Sequence, residues 1–291
     1  MKKILAAATI TFATALVATP AGAATLPQGQ SLYGFSWGGE LFEINPTTGT
    51  STSIFTIDDA AASAAADYNP VDGLIYVLAP YDGPCDLVKV DSAEQTSTTT
   101  ELVLDEGSNF NCRGMAITDE GTIYAVLDDE NLYVIDGDTG ATTQIGAVGE
   151  VGNITGLAYN SETGALYAMA DQDGVYAINT DTGAGNEVGL NDFEMNGFAD
   201  FDSNGILWFS MWDQIFSVSD LGTFEAVEEG VIDMGLSDGE NGTEAGFFAP
   251  SGLGPDSSDL ADTGFDSGAL AAVALLSTVA GVGLVLGRRR A

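Results

Sequence analysis

Forty-three aspartates and glutamates and no histidine define the chemistry open to this chain. Without an imidazole there is no Ser-His-Asp or Cys-His relay and no imidazole general base. Carboxylates, hydroxyls and oxygen-ligated cations remain. Two suitably spaced carboxyl groups suffice to hydrolyse a glycosidic bond, and the acids expected near inner strands are Glu194, Asp200, Asp202 and Glu244. No catalytic motif frames them, so no catalytic residue is assigned. Asn111, Asn153 and Glu194 hold matching places in successive repeats and could present oxygen to a hard cation such as Ca²⁺. No EF-hand spacing accompanies them, so no metal or other cofactor is assigned.

Binding chemistry is easier to place. Trp37, Tyr81 and Trp212 fall in loops of neighbouring repeats, where exposed rings would suit sugars or a partner protein. Arg113, beside Cys112, is the sole guanidinium between the two end segments and could take a carboxylate ligand or pair with a local acid.

The elements that must position these residues recur every 41 to 48 residues, a spacing suited to propeller blades. Each repeat opens a short strand on an apolar-aromatic pair: Leu32-Tyr33, Ile75-Tyr76, Ile123-Tyr124, Leu166-Tyr167 and Leu207-Trp208. A second alternating run follows, then a turn such as Asp136-Gly137-Asp138-Thr139-Gly140, then a Thr/Ser-rich strand. An inner strand precedes each aromatic strand, with a small residue in register at Ala66, Gly114, Gly156 and Gly197. The first repeat lacks that inner strand, while Thr243 to Pro250 is an inner strand without a successor. The expected fold is therefore all-β: five four-stranded blades closed by a C-terminal strand, with a six-bladed ring using Val231 to Gly239 as the alternative. The aromatic pairs are expected in the core between blades. Their repeat style resembles quinoprotein-like and YVTN-like propellers, a likeness that implies a fold and no activity.

The two ends read as export and attachment signals. Lys2 and Lys3 precede the apolar run Ile4 to Val17, and Ala21-Gly22-Ala23 supplies a cleavage site after Ala23, defining a signal peptide over 1–23. At the other end stand Leu260-Ala261-Asp262-Thr263-Gly264, a run from Gly268 to Gly287 without charge, and Arg288, Arg289 and Arg290. This order resembles the LAxTG form of the sorting signal of sortase-anchored Gram-positive surface proteins. The resemblance implies a transient transmembrane helix with a basic stop-transfer tail. It also implies cleavage between Thr263 and Gly264, transfer of Thr263 to peptidoglycan, and loss of 265–291. A permanent single-span anchor is the alternative. The ectodomain is then 24–250, with a spacer over 251–259.

Between Ala24 and Thr263 only Lys89 and Arg113 are basic, because the other five basic residues lie in the end segments; Asp266 alone among the acids lies beyond Thr263. A net charge of about −40 repels nucleic acid, which is excluded as a partner. In an exported chain the two cysteines, Cys85 and Cys112, pair by default. The functional expectation is a cell-wall surface protein, non-catalytic, binding an extracellular glycan or protein. A carboxylate-only glycoside hydrolase and an acidic structural spacer are the alternatives.

Overall fold

The computed structural model describes residue 24 and residues 26–104, 110–149, 153–171, 174–189, 197–235 and 245–255. Among them twenty strands form five antiparallel sheets of four. Blade one holds β1 (Gln30–Phe35), β2 (Glu40–Ile44) and β3 (Ser51–Thr56); blade two holds β4 (Ala65–Tyr68), β5 (Ile75–Ala79), β6 (Asp86–Asp91) and β7 (Thr96–Glu101). Blade three follows with β8 (Cys112–Ile117), β9 (Ile123–Leu127), β10 (Asn131–Ile135) and β11 (Thr142–Ala147). Blade four is β12 (Ile154–Asn160), β13 (Ala165–Ala170), β14 (Gly174–Ile178) and β15 (Gly185–Gly189). Blade five is β16 (Ala199–Phe201), β17 (Leu207–Met211), β18 (Gln214–Val218) and β19 (Val227–Val231). The last strand, β20 (Ala245–Pro250), pairs with β1 from Gln30 opposite Pro250 to Phe35 opposite Ala245. The sheet order β20-β1-β2-β3 makes the chain's end the inner strand of its first blade. Val231 ends the outer strand of blade five, so the six-bladed alternative falls.

Five apolar clusters lie one between each pair of neighbouring blades. Tyr33, Tyr76 and Trp208 are buried in three of them, and Tyr124 and Tyr167 pack half-buried against the other two. The aromatic pairs are thus inter-blade core, as their recurrence suggests.

The small-residue register needs correction. Counting from the aromatic residue of the partner strand, the position two residues on faces Ala65, Gly114, Gly156 and Ala245, and in blade five Phe198 bonds there to Ser210. Ala66 and Gly246 lie one residue out, and Gly197 precedes β16. At Gly114 a Cβ would stand 2.7 Å from the backbone of Gly156 and Leu157, and at Gly246 one would stand 2.6 Å from the Phe198 ring, so the crowding of inner strands demands glycine at both.

The glycines closing the Asx-Thr-Gly turns have a different task. Gly49, Gly140 and Gly183 adopt φ of 71°, 68° and 82°. An added Cβ at each would overlap the preceding blade's outer segment, at Val231, Glu101 and Gly146 respectively. The turns start on Asn45, Asp136 and Asn179, whose side-chain oxygens accept the N–H groups of the second and third residues beyond them. Backbone bonds complete the grip, Val103 N–H to Gly140 O at 2.8 Å and Asp233 N–H to Gly49 O at 2.9 Å.

Cys85, in the β5–β6 loop, is bonded to Cys112, which opens β8, with Cα atoms 5.1 Å apart. The bond ties blade two to blade three. Past Pro250 the first residues of the expected spacer pack on blade one: Leu253 is buried and donates its N–H to the Tyr33 hydroxyl at 3.2 Å. Ala23, the sorting motif Leu260 to Gly264, Arg288 to Arg290 and both expected terminal helices lie outside the described residues.

Two substitutions test the turn's role. Gly140→Ala should destabilise by at least about 1–2 kcal/mol from the left-handed backbone alone, with overlap adding to it. Gly156→Ala, whose Cβ would meet only ordinary contacts near 3.6 Å, should change stability far less; urea unfolding of both reports the difference. Cys85→Ser with Cys112→Ser should cost roughly 3 kcal/mol, as expected for a loop of this length, by the same measurement.

Candidate functional site

In an antiparallel four-stranded blade, the loop after the second strand and the connection to the next blade emerge on one face, and the two remaining turns on the other. Trp37, Tyr81, Trp212, Cys85 and Cys112 consequently share a face.

On that face Trp37 is 49% exposed and its ring centre lies 6.3 Å from that of Tyr81, tilted by 56°. The Arg113 guanidinium stacks over the same Tyr81 ring at 4.9 Å, a favourable cation–π placement. Its Nη1 donates to the carbonyl of Cys112 at 3.3 Å. Among the described residues Arg113 has no carboxylate within 4.0 Å, although the chain carries 43 of them; the ion pair found there is Lys89 with Asp138. Three residues from blades one, two and three thereby form one row, Trp37-Tyr81-Arg113. The Cys85–Cys112 bond brackets it, joining the loop that carries Tyr81 to the residue before Arg113.

Trp212 occupies the turn between β17 and β18 of blade five, blade one's other neighbour, and is 68% exposed. Its φ is +54°, a left-handed backbone that costs a bulky residue about 1–2 kcal/mol.

The opposite mouth of the central channel holds a cavity of about 340 Å³, lined by Asp67, Asp200, Tyr68, Tyr159, Phe201 and Phe248 among others. Sequence reasoning named Asp200 and missed Asp67. The two are equivalent: Asp67 lies opposite Tyr76 and Asp200 opposite Trp208. Each carboxyl accepts the N–H of its successor, Tyr68 or Phe201, at 2.7 Å. Each also reaches the next blade's inner strand, where Asp67 accepts from Ile117 at 2.6 Å and Asp200 from Phe248 at 2.8 Å. Burial pushes the Asp200 carboxyl up to about 7, against the pull of its two N–H donors. Burial, then the charge of Asp200, holds Asp67 well above the carboxylate range. Asp202 serves its turn instead, accepting from Asn204, Ile206 and the Trp208 indole.

Between the two mouths the axis narrows to a void of about 10 Å³ lined by small residues such as Ala65, Gly156 and Gly246. That is scarcely room for one water, so the faces are separate sites. Of the proposed cation ring, Asn111 accepts the Gly83 N–H at 3.2 Å, and Glu194 lies outside the described residues, as does Glu244. Among the described residues no group of three or more acids is arranged to hold a metal ion.

Raised carboxyl groups carry a sign. Unfolded, Asp200 and Asp67 titrate near 3.9; folded, both hold protons to higher pH, so their contribution is full below about pH 4, and that of Asp200 is lost as pH rises through about 7. Thermal unfolding should therefore give a higher Tm at pH 5 than at pH 8. Asp200→Asn should shrink that difference, separating the local effect from general charge repulsion.

No protein-family model and no curated protein matches the chain. Among solved structures it is similar to a symmetrical protein described under "de novo evolutionary emergence of a symmetrical protein", at 19% identity, covering 69% of this chain and 93% of that one with a TM-score of 0.49. It is also similar to virginiamycin B lyase from Staphylococcus aureus (13% identity, 68% and 64% covered, TM-score 0.43) and to TolB from Acinetobacter baumannii (11%, 70% and 54%, 0.46).

Proposed function

We propose that this propeller is a non-catalytic binding module that holds an extracellular glycan on the row Trp37-Tyr81-Arg113, displayed on a Gram-positive cell wall through the Leu260 to Gly264 signal. The observation that carries the binding part is the stacking of Arg113 on Tyr81 beside exposed Trp37. An aromatic plane offers a face to the C–H side of a sugar ring, while a guanidinium offers fixed donors to ring hydroxyls or a carboxylate. The disulfide supports the reading by fixing the row before any ligand arrives, which lowers the ordering cost of binding. Sortase and peptidoglycan are the partners the C-terminal signal implies.

A carboxylate hydrolase is the second reading, favoured by Asp67 and Asp200 lining one cavity with raised affinity for protons. Against it, both oxygens of each carboxyl already accept a backbone N–H, one from the aspartate's own strand and one from the next blade's inner strand. The simpler role for this pair is to hold inner strands together.

A screen of the exported chain against glycan and cell-wall polysaccharide arrays tests the proposal. Trp37→Ala and Arg113→Ala should each weaken specific binding at least tenfold, about 1.4 kcal/mol, with unchanged Tm. Binding only to proteins would replace the glycan by a protein partner. Turnover abolished by Asp67→Asn or Asp200→Asn would establish the hydrolase. Leu260→Ala should move the protein from the wall fraction to the membrane or medium on cell fractionation.

A further inference from the structure

We infer that Glu229 is a receptor for the chain's own α-ammonium group, which comes into being when the export signal is cut after Ala23. The inference rests on the export reading above, and on a carboxylate that is otherwise incompletely satisfied. The Ala24 nitrogen lies 2.8 Å from Glu229 Oε1. The Ser217 hydroxyl donates to the same oxygen at 2.6 Å. Glu229 Oε2 is buried and has no hydrogen-bond partner among the described residues. Ala24 and Leu26 pack against the cluster containing Leu32, Trp208, Ile232 and Phe248, which fills the seam between blades five and one. The start of the ectodomain is thus docked beside the joint where the ring closes.

A carboxylate accepts at about four lone-pair sites. While Ala24 is still joined to Ala23, its nitrogen is an amide with one proton and no charge, enough for Oε1 alone. Cleavage adds water across the Ala23–Ala24 peptide bond: hydroxyl to the Ala23 carbonyl, a proton to the Ala24 nitrogen. The free amine, with an ordinary pKa of about 7.7–8.0, takes one more proton from solvent. The same nitrogen then carries three donors and a positive charge, so it can serve Oε2 as well as Oε1 in a charge-assisted pair. Little else could. Between Ala24 and Thr263 the basic side chains are Lys89, paired with Asp138, and Arg113, on Tyr81. The amino terminus is the third cation between Ala24 and Thr263, and it is delivered to a half-buried acid beside the closing seam. Processing by the export peptidase would then finish the fold as well as release the leader.

The test uses the exported chain from Ala24 to Ala291 in detergent, made with a free or an acetylated amino terminus, each with Glu229 or Glu229→Gln. Glutamine still accepts an amide N–H but offers no charge to an ammonium. Acetylation should lower Tm by roughly 2–4 °C, and Glu229→Gln should do the same in the free-amine chain. Together they should lower it no further than either alone. Equal melting of the free and acetylated chains, or losses that simply add, would overturn the pair; because acetylation changes no residue, this arm holds even if the variant folds poorly. N-terminal sequencing of naturally exported protein separately examines the cut. A terminus other than Ala24 would overturn the maturation step and the export reading at that residue, whatever the pair does in vitro.

Discussion

The six-residue pairing of β20 with β1 is the joint on which the rest of the molecule depends. Each of the five apolar clusters needs both of its flanking blades, so a ring open at one seam would expose two sheet faces and leave β1 with an unpaired edge. Closure removes both liabilities at once. It is reinforced by side chains: Phe247 stacks on Tyr33 at 5.8 Å and Phe248 meets Trp208 edge-on at 6.0 Å, so the closing strand reaches the clusters on both its sides. The Tyr33 hydroxyl then donates to the Pro250 carbonyl and accepts from Gly252 and Leu253, fastening the chain just beyond the strand.

Away from that joint, neighbouring blades are held by unlike devices at different radii. Near the axis, Asp67 and Asp200 reach from one inner strand to the next. At the rim, the Asx-Thr-Gly turns hook over the preceding blade's outer segment. On the aromatic face the disulfide spans blades two and three. Buried carboxyls with displaced proton affinity are a common mark of catalytic sites, yet here the same burial also follows from a mechanical duty. The aromatic face shows the opposite pattern, with exposed rings, a strained turn at Trp212 and a guanidinium stacked on a ring although acids abound.

Most of the architecture was legible in the sequence because its signals are local. Alternation, the recurring aromatic pair and the Asx-Thr-Gly turns each act within a dozen residues, and the missing first inner strand pointed to closure from the far end. The inner-strand register was less legible: a small residue such as Ala66 places the strand one residue out, and a one-residue slip turns every side chain over. Asp67 was missed although a signal existed, since Ala66-Asp67-Tyr68-Asn69 parallels Ala199-Asp200-Phe201-Asp202. Asn69 starts the turn there by accepting the Val71 N–H, which leaves Asp67 on the inner strand. The Trp37-Tyr81-Arg113 row lay beyond sequence reading, because its contacts cross blades and depend on ring curvature. Sequence offered Arg113 a carboxylate partner; among the described residues the ring of Tyr81 is what holds it.

The way the chain leaves the ring gives the molecule a polarity. β20 runs from the aromatic face towards the opposite mouth, so the chain departs from its last strand at Pro250 on the side away from Trp37 and Tyr81. Ala24 enters near the same closing seam. Under the C-terminal attachment proposed above, this arrangement would work like a lamp on a stalk, with the aromatic row turned away from the side on which the chain leaves the ring. Under that proposed attachment the Asp67–Asp200 cavity would face back towards the supporting surface, and large soluble molecules would meet the row first.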